Sequence, residues 1–398
     1  MEQGVWADLV GQEQVVATLR RAVAAVGSKD PARRHAMSHA WLFTGPPGSG
    51  RSNAARAFAA ALQCPDGGCG HCNACVTALS GAHPDVTILR TEVLSIGVSQ
   101  VRALVPRAAT APAAGRFQIL LVEDADRVTE RGADALLKSL EEPAPRTVWL
   151  LCAPTAGDVI VTIRSRCRRV DLVTPSEAAI AELLTRRDGV EPGLAAFAAR
   201  AGQGHIGRAR ALARDDGART RRAEVLGLPS ELGSLGACLT AAARVVETAQ
   251  AEADSITSEL DARERSELAQ ALGAGQGGRG ARGMAAAMKD LEDEQKARAK
   301  RLQRDALDRV LTELISLYRD VLVTQTAPGV RLVNDDHAAG IGAIARRTRP
   351  EATLTTLDAI VACRTALETN VAPLLAMEAL MIAIRDAARP IADAQARP

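Results

Sequence analysis

The eight residues Gly45-Pro46-Pro47-Gly48-Ser49-Gly50-Arg51-Ser52 set the tightest limit on what this chain can fold into. Their spacing is that of a phosphate-binding loop, G-x-x-x-x-G-K-[ST]. Glycines there let backbone N–H groups approach phosphate oxygens, and a helix opening at the end of the loop favours negative charge. Such a loop needs a buried strand before it and a helix after it. The run Ala40-Trp41-Leu42-Phe43-Thr44 supplies the first, and a helical pattern over 52–62 the second. One position departs from the pattern, because Arg51 stands where the motif has lysine. A guanidinium keeps the charge but is a longer, planar fork than a compact ammonium. The loop is expected either to bind ATP or ADP with little turnover, or to persist only as a turn.

Further apolar runs follow at 85–89, 117–122, 147–152 and 169–172, with helical patterns over 12–26 and 131–140. Strands separated by helices predict a parallel sheet with crossover helices, and continuous apolar strands predict that both faces are covered. From Pro175 onward no strand is predicted. Pro175-Ser176-Glu177 reads as a helix start, and a small helical unit is expected to end near Gly227-Leu228-Pro229. Long helices follow, broken by the Gly-rich stretch 273–280. Asn370-Val371-Ala372-Pro373 reads as a cap and first turn for a last helix. Leu307, Val310, Leu311, Leu314 and Leu317 recur at helical spacing, as an internal core or an interface between subunits would require. The basic run Lys296, Arg298, Lys300, Arg301 and Arg304 reads as a solvated helix face or a contact with DNA or a partner.

Composition supports this division. Aromatic residues are only 2% of 398 while hydrophobic residues are 47%, so the core must be built from Ala, Leu and Val, and largely from helices. The apolar content excludes a wholly disordered chain. A net charge of +2 argues against a protein held to nucleic acid by bulk charge. No export signal and no membrane-length apolar run is read, so a reducing cytoplasm is the expected location.

Two more clusters carry chemistry. The third strand ends Val122-Glu123-Asp124. Phosphate-loop enzymes place Asp for Mg²⁺ and often Glu for the attacking water at such a strand end. Here the order is reversed, which would shift metal and water by about an ångström, enough to cost about 100-fold in rate. Whether Mg²⁺ binds there is left open, since Glu123 and Asp124 can equally serve as a solvated strand end. Cys64, Cys69, Cys72 and Cys75 follow the loop helix with the spacing C-x4-C-x2-C-x2-C, separated by glycines that permit tight turns. In a reducing compartment four such thiolates predict a closed, structural Zn²⁺ site. Iron–sulfur ligation also uses four cysteines, but nothing else in the sequence points to redox chemistry.

Together with Trp6-Ala7-Asp8-Leu9-Val10-Gly11-Gln12, the block 38–46, Asp134-Ala135-Leu136-Leu137-Lys138-Ser139-Leu140-Glu141-Glu142-Pro143 and Thr162-Ile163-Arg164-Ser165-Arg166-Cys167, these features resemble the clamp-loader subunits of bacterial DNA polymerase III. The resemblance is dense over 5–175 and thinner beyond. It implies an α/β AAA+ module at 1–175 with the zinc insert at 64–75, a helical lid at 176–232, and an all-α collar at 233–398 with a flexible segment at 273–283. The family contains gamma/tau motor subunits and related delta prime subunits. This chain lacks the motor's lysine and its Asp-Glu order. The motor's sensor-1 threonine would fall near Pro154, and Arg208 is an approximate sensor-2 match. All of these departures resemble the delta prime side.

The resemblance then implies a stator. Arg166, within Ser165-Arg166-Cys167, would act as an arginine finger on ATP held by a neighbouring motor subunit; a finger of this kind is worth about 1,000-fold or more. Without that context Arg166 is one of several basic residues closing a strand. The implied partners are gamma/tau and delta subunits, with the sliding clamp and primer-template DNA reached through the complex. Two alternatives stand beside it. One is an autonomous ATPase motor using Arg51 and Glu123-Asp124. The other is a zinc-dependent nucleic-acid-binding module, disfavoured because 64–83 holds no Lys or Arg. No residues for nucleotidyl transfer are read, so any such activity would belong to the holoenzyme by association.

Overall fold

A computed structural model describes residues 4–26, 30, 35–90, 95–271, 280–327, 329–369 and 371–388. Five strands form one parallel sheet: β1 (Ala40–Thr44), β2 (Val86–Leu89), β3 (Gln118–Val122), β4 (Thr147–Ala153) and β5 (Arg168–Asp171), in the order β2-β3-β4-β1-β5. Each expected strand is present within about a residue of its predicted ends. Thr44 of β1 pairs with Ala153 of β4 and Asp171 of β5, so these three strands end together. Val122 of β3 pairs with Leu89 and Leu151. The loops after β1, β3, β4 and β5 therefore emerge at one edge, where parallel α/β sheets bind their ligands.

Both sheet faces are covered, which is why β1, β3 and β4 are buried along their whole length. Successive side chains alternate between the faces. On one side Trp41, Phe43, Ile119, Leu121 and Leu150 pack against the helix Arg51–Gln63. That helix can lie flat on the sheet because six of its nine buried residues are Ala. Its one large ring, Phe58, meets Trp41 edge-on at 5.0 Å. On the other side Leu42, Leu120, Trp149 and Leu151 share a core with Leu104, Leu136 and Leu140 from the helices Val98–Ala108 and Glu130–Glu141.

The chain divides into two compact units, 1–214 and 215–398. After β5, the first unit adds the helices Glu177–Arg186, Pro192–Gly202 and Ile206–Arg214. Ser176 caps the first of them by accepting a hydrogen bond from the Ala179 N–H at 3.2 Å, as the sequence predicts. The helix Asp216–Glu231 opens the second unit and runs through Gly227-Leu228-Pro229, where the sequence predicts an end. Pro229 stands in its final turn, and the helix stops two residues later.

The second unit is all helical. Its longest elements, Leu235–Ala271 and Gly280–Thr326, are paired. Arg298 reaches across to Asp261 at 2.7 Å and to Glu264 at 2.5 Å, and Arg309 to Glu252 at 2.5 Å. The basic run is thus not uniformly a free face. Leu307, Leu311, Leu314 and Leu317 are buried in an internal core with Ile360, Met377 and Met381, and Val310 packs against it. The ambiguity over that apolar stripe is settled in favour of an intramolecular core. The expected break at 273–280 falls mostly on residues 272–279, outside the described residues, as does Asn370. The last helix, Pro373–Ala387, opens with its proline in the first turn. Among the described residues no helix is long and apolar enough to cross a membrane.

Candidate functional site

The phosphate loop leaves β1 at Thr44 and enters the helix at Arg51. Gly48 and Gly50 take φ of +83° and +92°, a region that L side chains rarely adopt, so the glycines of the motif are needed for the turn itself. Gln12 ties the loop to the segment that follows β5. Its Nε2 donates to the Val173 carbonyl at 2.7 Å and its Oε1 accepts from the Val173 N–H at 3.1 Å, while the Ser49 carbonyl lies 3.5 Å from the same Nε2. The Gly45 N–H donates to the Pro154 carbonyl at 3.0 Å, which locks the loop to the end of β4. The departure at position 51 has a visible consequence. Arg51 folds back and donates through Nη1 to the carbonyl of Gly45, inside its own loop.

The acids after β3 are also engaged. Arg56, on the loop helix, holds the buried Glu123 through Nε at 2.9 Å and Nη2 at 2.8 Å, and Arg90 approaches its second oxygen at 3.7 Å. Asp124 leads into a short 3-10 turn, Ala125–Arg127. Burial, and the neighbouring Asp124 charge, push the Asp126 carboxyl above its ordinary range. Burial pushes the thiol of Cys152, on β4, far up, and the charges of Glu123 and Asp124 add to this.

From the helical part of the same unit, His205 lies against the loop. A Cβ built on Gly48 would fall 2.3 Å from its Cγ and 2.6 Å from its Cα. Burial, then the positive charges of Arg208 and Arg51, hold this imidazole below its ordinary pKa, so it is neutral at pH 7. The Arg208 N–H donates to His205 Nδ1 at 3.2 Å. Arg208, the residue that the sequence singles out here, donates its N–H to His205, and it is His205 that contacts the loop. Arg51 is thus turned inward, Glu123 is held by Arg56 and Gly48 is covered by His205, while the side of Gly50 is open.

Ser165-Arg166-Cys167 joins the short helix Val161–Arg164 to β5. Arg166 donates through Nη1 to the Thr162 carbonyl at 2.7 Å and to Ser165 Oγ at 3.3 Å, and its Nη2 pairs with Glu141. Its basic neighbours do different work. Arg164 donates to the Ala156 carbonyl at 3.0 Å, and Arg168 to the Ala36 carbonyl at 2.7 Å while lying 5.1 Å over the Trp41 ring. Arg166 alone of these three holds a carboxylate that is itself exposed. Burial pushes the Cys167 thiol up to about 12.

The four clustered cysteines converge. Cys64 Sγ lies 3.7 Å from both Cys69 and Cys72, and Cys69 lies 4.0 Å from Cys75. A zinc tetrahedron with Zn–S bonds of about 2.3 Å has sulfur–sulfur edges of about 3.8 Å. All four sulfurs lie within 4.8 Å of one another, so the cluster could hold zinc. Backbone N–H groups of Cys69, Cys72 and Cys75 point at the sulfurs of Cys64, Cys69 and Cys72, at 3.5, 3.4 and 3.4 Å. Burial raises Cys64, but the N–H groups of Cys69, Gly68 and Asp66 outweigh it and bring the thiol down to about 6; burial drives Cys75 the opposite way. The cluster also anchors the N-terminal turn, since the Val5 N–H donates to the Gly68 carbonyl at 3.1 Å.

Three residues of this geometry escape sequence reasoning: Arg56, Glu141 and His205. Glu141 lies inside the run 134–143 and His205 three residues before Arg208, but neither carries a role in the sequence reading. Arg56 sits five residues after Arg51 on an Ala-rich helix, and that isolated charge was its one signal.

The parallel sheet, the phosphate loop after β1, the acids after β3 and the helical segment folded onto the loop define a P-loop module of the AAA+ class. The chain belongs to the DNA polymerase III delta-subunit family. Residues 27–176 match the family described as DNA polymerase III, delta subunit, and residues 293–386 match DNA polymerase III, delta subunit, C terminal. It is 38% identical over 161 residues to the DNA polymerase III subunit delta' of Pseudomonas aeruginosa, covering 39% of this chain and 49% of that one. It is 32% identical over 195 residues to the delta' subunit of Bacillus subtilis, covering 48% and 59%. It is 36% identical over 166 residues to the gamma/tau subunit of Mycobacterium bovis, covering 40% and 27%. The matches thus span about half of the delta' relatives and about a quarter of the gamma/tau relative.

Proposed function

We propose that the chain is the stator of a clamp loader of the DNA polymerase III type. It would support ATP-driven loading of a sliding clamp onto primed DNA without hydrolysing ATP itself. Kinship with delta' subunits supports the loader role. The single observation that carries the non-hydrolysing part is the ion pair between Arg56 and Glu123. The acid that would direct metal or water is buried and neutralised from the phosphate-loop helix.

Arg166 would serve in trans. Its guanidinium is half-buried and donates to a main-chain carbonyl, so it is aimed by its own segment. A charge placed in this way can stabilise the negative charge that develops on a transferring phosphoryl group held by a neighbouring gamma/tau subunit. The four cysteines would hold one Zn²⁺, which supplies cross-linking and no chemistry. The lid would comprise 176–232 and the oligomerising collar 233–398, with gamma/tau and delta as partners and the cytoplasm, where thiols stay reduced, as its place.

The test is ATP hydrolysis by a reconstituted loader carrying this chain as wild type or Arg166→Ala, with the isolated chain as control. The stator reading expects an inactive isolated chain and an assembled but depressed loader. Hydrolysis by the isolated chain, with a loader indifferent to Arg166, would make it a motor.

A further inference from the structure

The open side of Gly48, where any other residue would carry its Cβ, is filled by His205: the three nearest atoms to that position are its Cγ, Cα and Cβ, at 2.3, 2.6 and 2.6 Å. In a phosphate loop the backbone itself is the binding surface, and glycine is used so that phosphate can come close. A side chain seated on the middle glycine therefore takes space that a ligand's phosphates need.

His205 is also held in place. Its own N–H donates to the Gly202 carbonyl at 2.9 Å, and its Nδ1 accepts from the Arg208 N–H at 3.2 Å, which caps the helix Ile206–Arg214. The residue before it, Gly204, has φ of +83°, and a Cβ there would fall 2.0 Å from Thr174 Cγ2. The segment from Gly202 to Arg208 is thus wedged between Thr174 and the loop, and the ring is not a freely swinging side chain. Beneath it, Arg51 spends its guanidinium on the Gly45 carbonyl. The ring is neutral, so it brings no charge of its own to attract phosphate.

We propose that His205 is a built-in stopper of the phosphate loop, a lid residue that occupies the place of a nucleotide's phosphates and keeps this subunit empty. The inference rests on the non-hydrolysing reading above and deepens it. A subunit with a filled loop cannot cycle with ATP, so its lid stays in one position while its neighbours move.

The experiment measures binding of a fluorescent ADP analogue, with Mg²⁺, to the full-length chain. His205→Ser is the opening variant, since serine can still cap the helix. His205→Phe is the control that keeps the space filled. Both are made in the native background and with Arg51→Lys. The expected result is that His205→Ser binds at least about tenfold more tightly than its parent in the Arg51→Lys background, while His205→Phe does not. Equal affinity of Arg51→Lys and Arg51→Lys/His205→Ser, with native helix content retained, would overturn the proposal, as would wild-type binding as tight as that of His205→Ser. ATP hydrolysis by the wild-type chain would overturn both readings, since a nucleotide must be bound before it is hydrolysed, whereas equal affinities without hydrolysis would overturn the role of His205 alone.

Discussion

Arg166 and Glu141 form an ion pair at the surface of the first unit, and both side chains remain partly exposed, at 34% and 47%. Such a pair contributes only about 0–1 kcal/mol to stability. Its value lies in where it holds the guanidinium.

Glu141→Gln is therefore expected to leave the thermal midpoint of the isolated chain within about 2 °C. The same variant should lower the ATPase of the assembled loader, and Arg166→Ala should lower it further. In the proposed role Arg166 would act at one site, where loss of a finger is expected to cost about 1,000-fold, so the complex should lose that site's share of turnover. Melting curves and steady-state hydrolysis on the same preparations check both parts.

Elemental analysis should find one zinc per chain. Cys72→Ser is expected to remove it, because three thiolates and a hydroxyl, a poor zinc ligand, do not make a closed site. Loss of metal should free the turn Gly4–Trp6, whose Val5 is bonded to the loop between the ligands. The readout is faster hydrogen exchange at Val5 and Trp6 after chelation; unchanged exchange would contradict it.

Asp85 accepts hydrogen bonds from the N–H groups of Ala113, Ala114 and Gly115 at 2.7, 2.8 and 2.5 Å. Burial pushes its carboxyl up, but these donors and His83 prevail and hold it below its ordinary 3.8. A depressed folded-state pKa adds stability that is complete above the unfolded value, about pH 4, and is lost as pH falls through the folded value. Asp85→Ala should cost about 3 kcal/mol at pH 7 and less at pH 2–3, as read from urea unfolding of the first unit.

In the second unit Arg222 is buried against Glu313 at 3.4 Å, Asp336 at 2.8 Å and Asn334 Oδ1 at 2.5 Å. Asn334 in turn donates to Ser316 and Asp320, each at 2.9 Å. Arg222→Ala leaves buried acceptors unmatched and should cost about 3–5 kcal/mol. Assembly with gamma/tau should fail at temperatures where the wild type still assembles, as judged by gel filtration of mixtures.

Much of this was legible in the residues. The strands could be read because doubly covered strands leave long apolar runs, and the cysteines because their spacing tolerates few other uses. The misses share a cause. The strand at 85–89 begins one residue late because Asp85 spends its side chain on the 113–115 loop, a contact between distant segments. His205 looks like a loop residue until Gly48 is seen beneath it. Arg56 and Glu123 are 67 positions apart, and no local pattern couples them. Pro229 reads as a stop, yet the preceding turns are packed strongly enough to carry it.

The helix Arg51–Gln63 is fastened at both ends. Its first residue is bonded into the loop before it, and the cysteine cluster begins directly after its last, where Arg116 also donates to the Cys64 carbonyl at 3.1 Å. Nine of its thirteen residues are buried between the sheet and the helices packed over it. In a motor, this is the helix that would register the arrival and loss of phosphate. In the stator proposed above, a helix fastened in this way would transmit nothing, and a ring of moving subunits would gain one member whose face keeps a constant shape for its neighbour to close against.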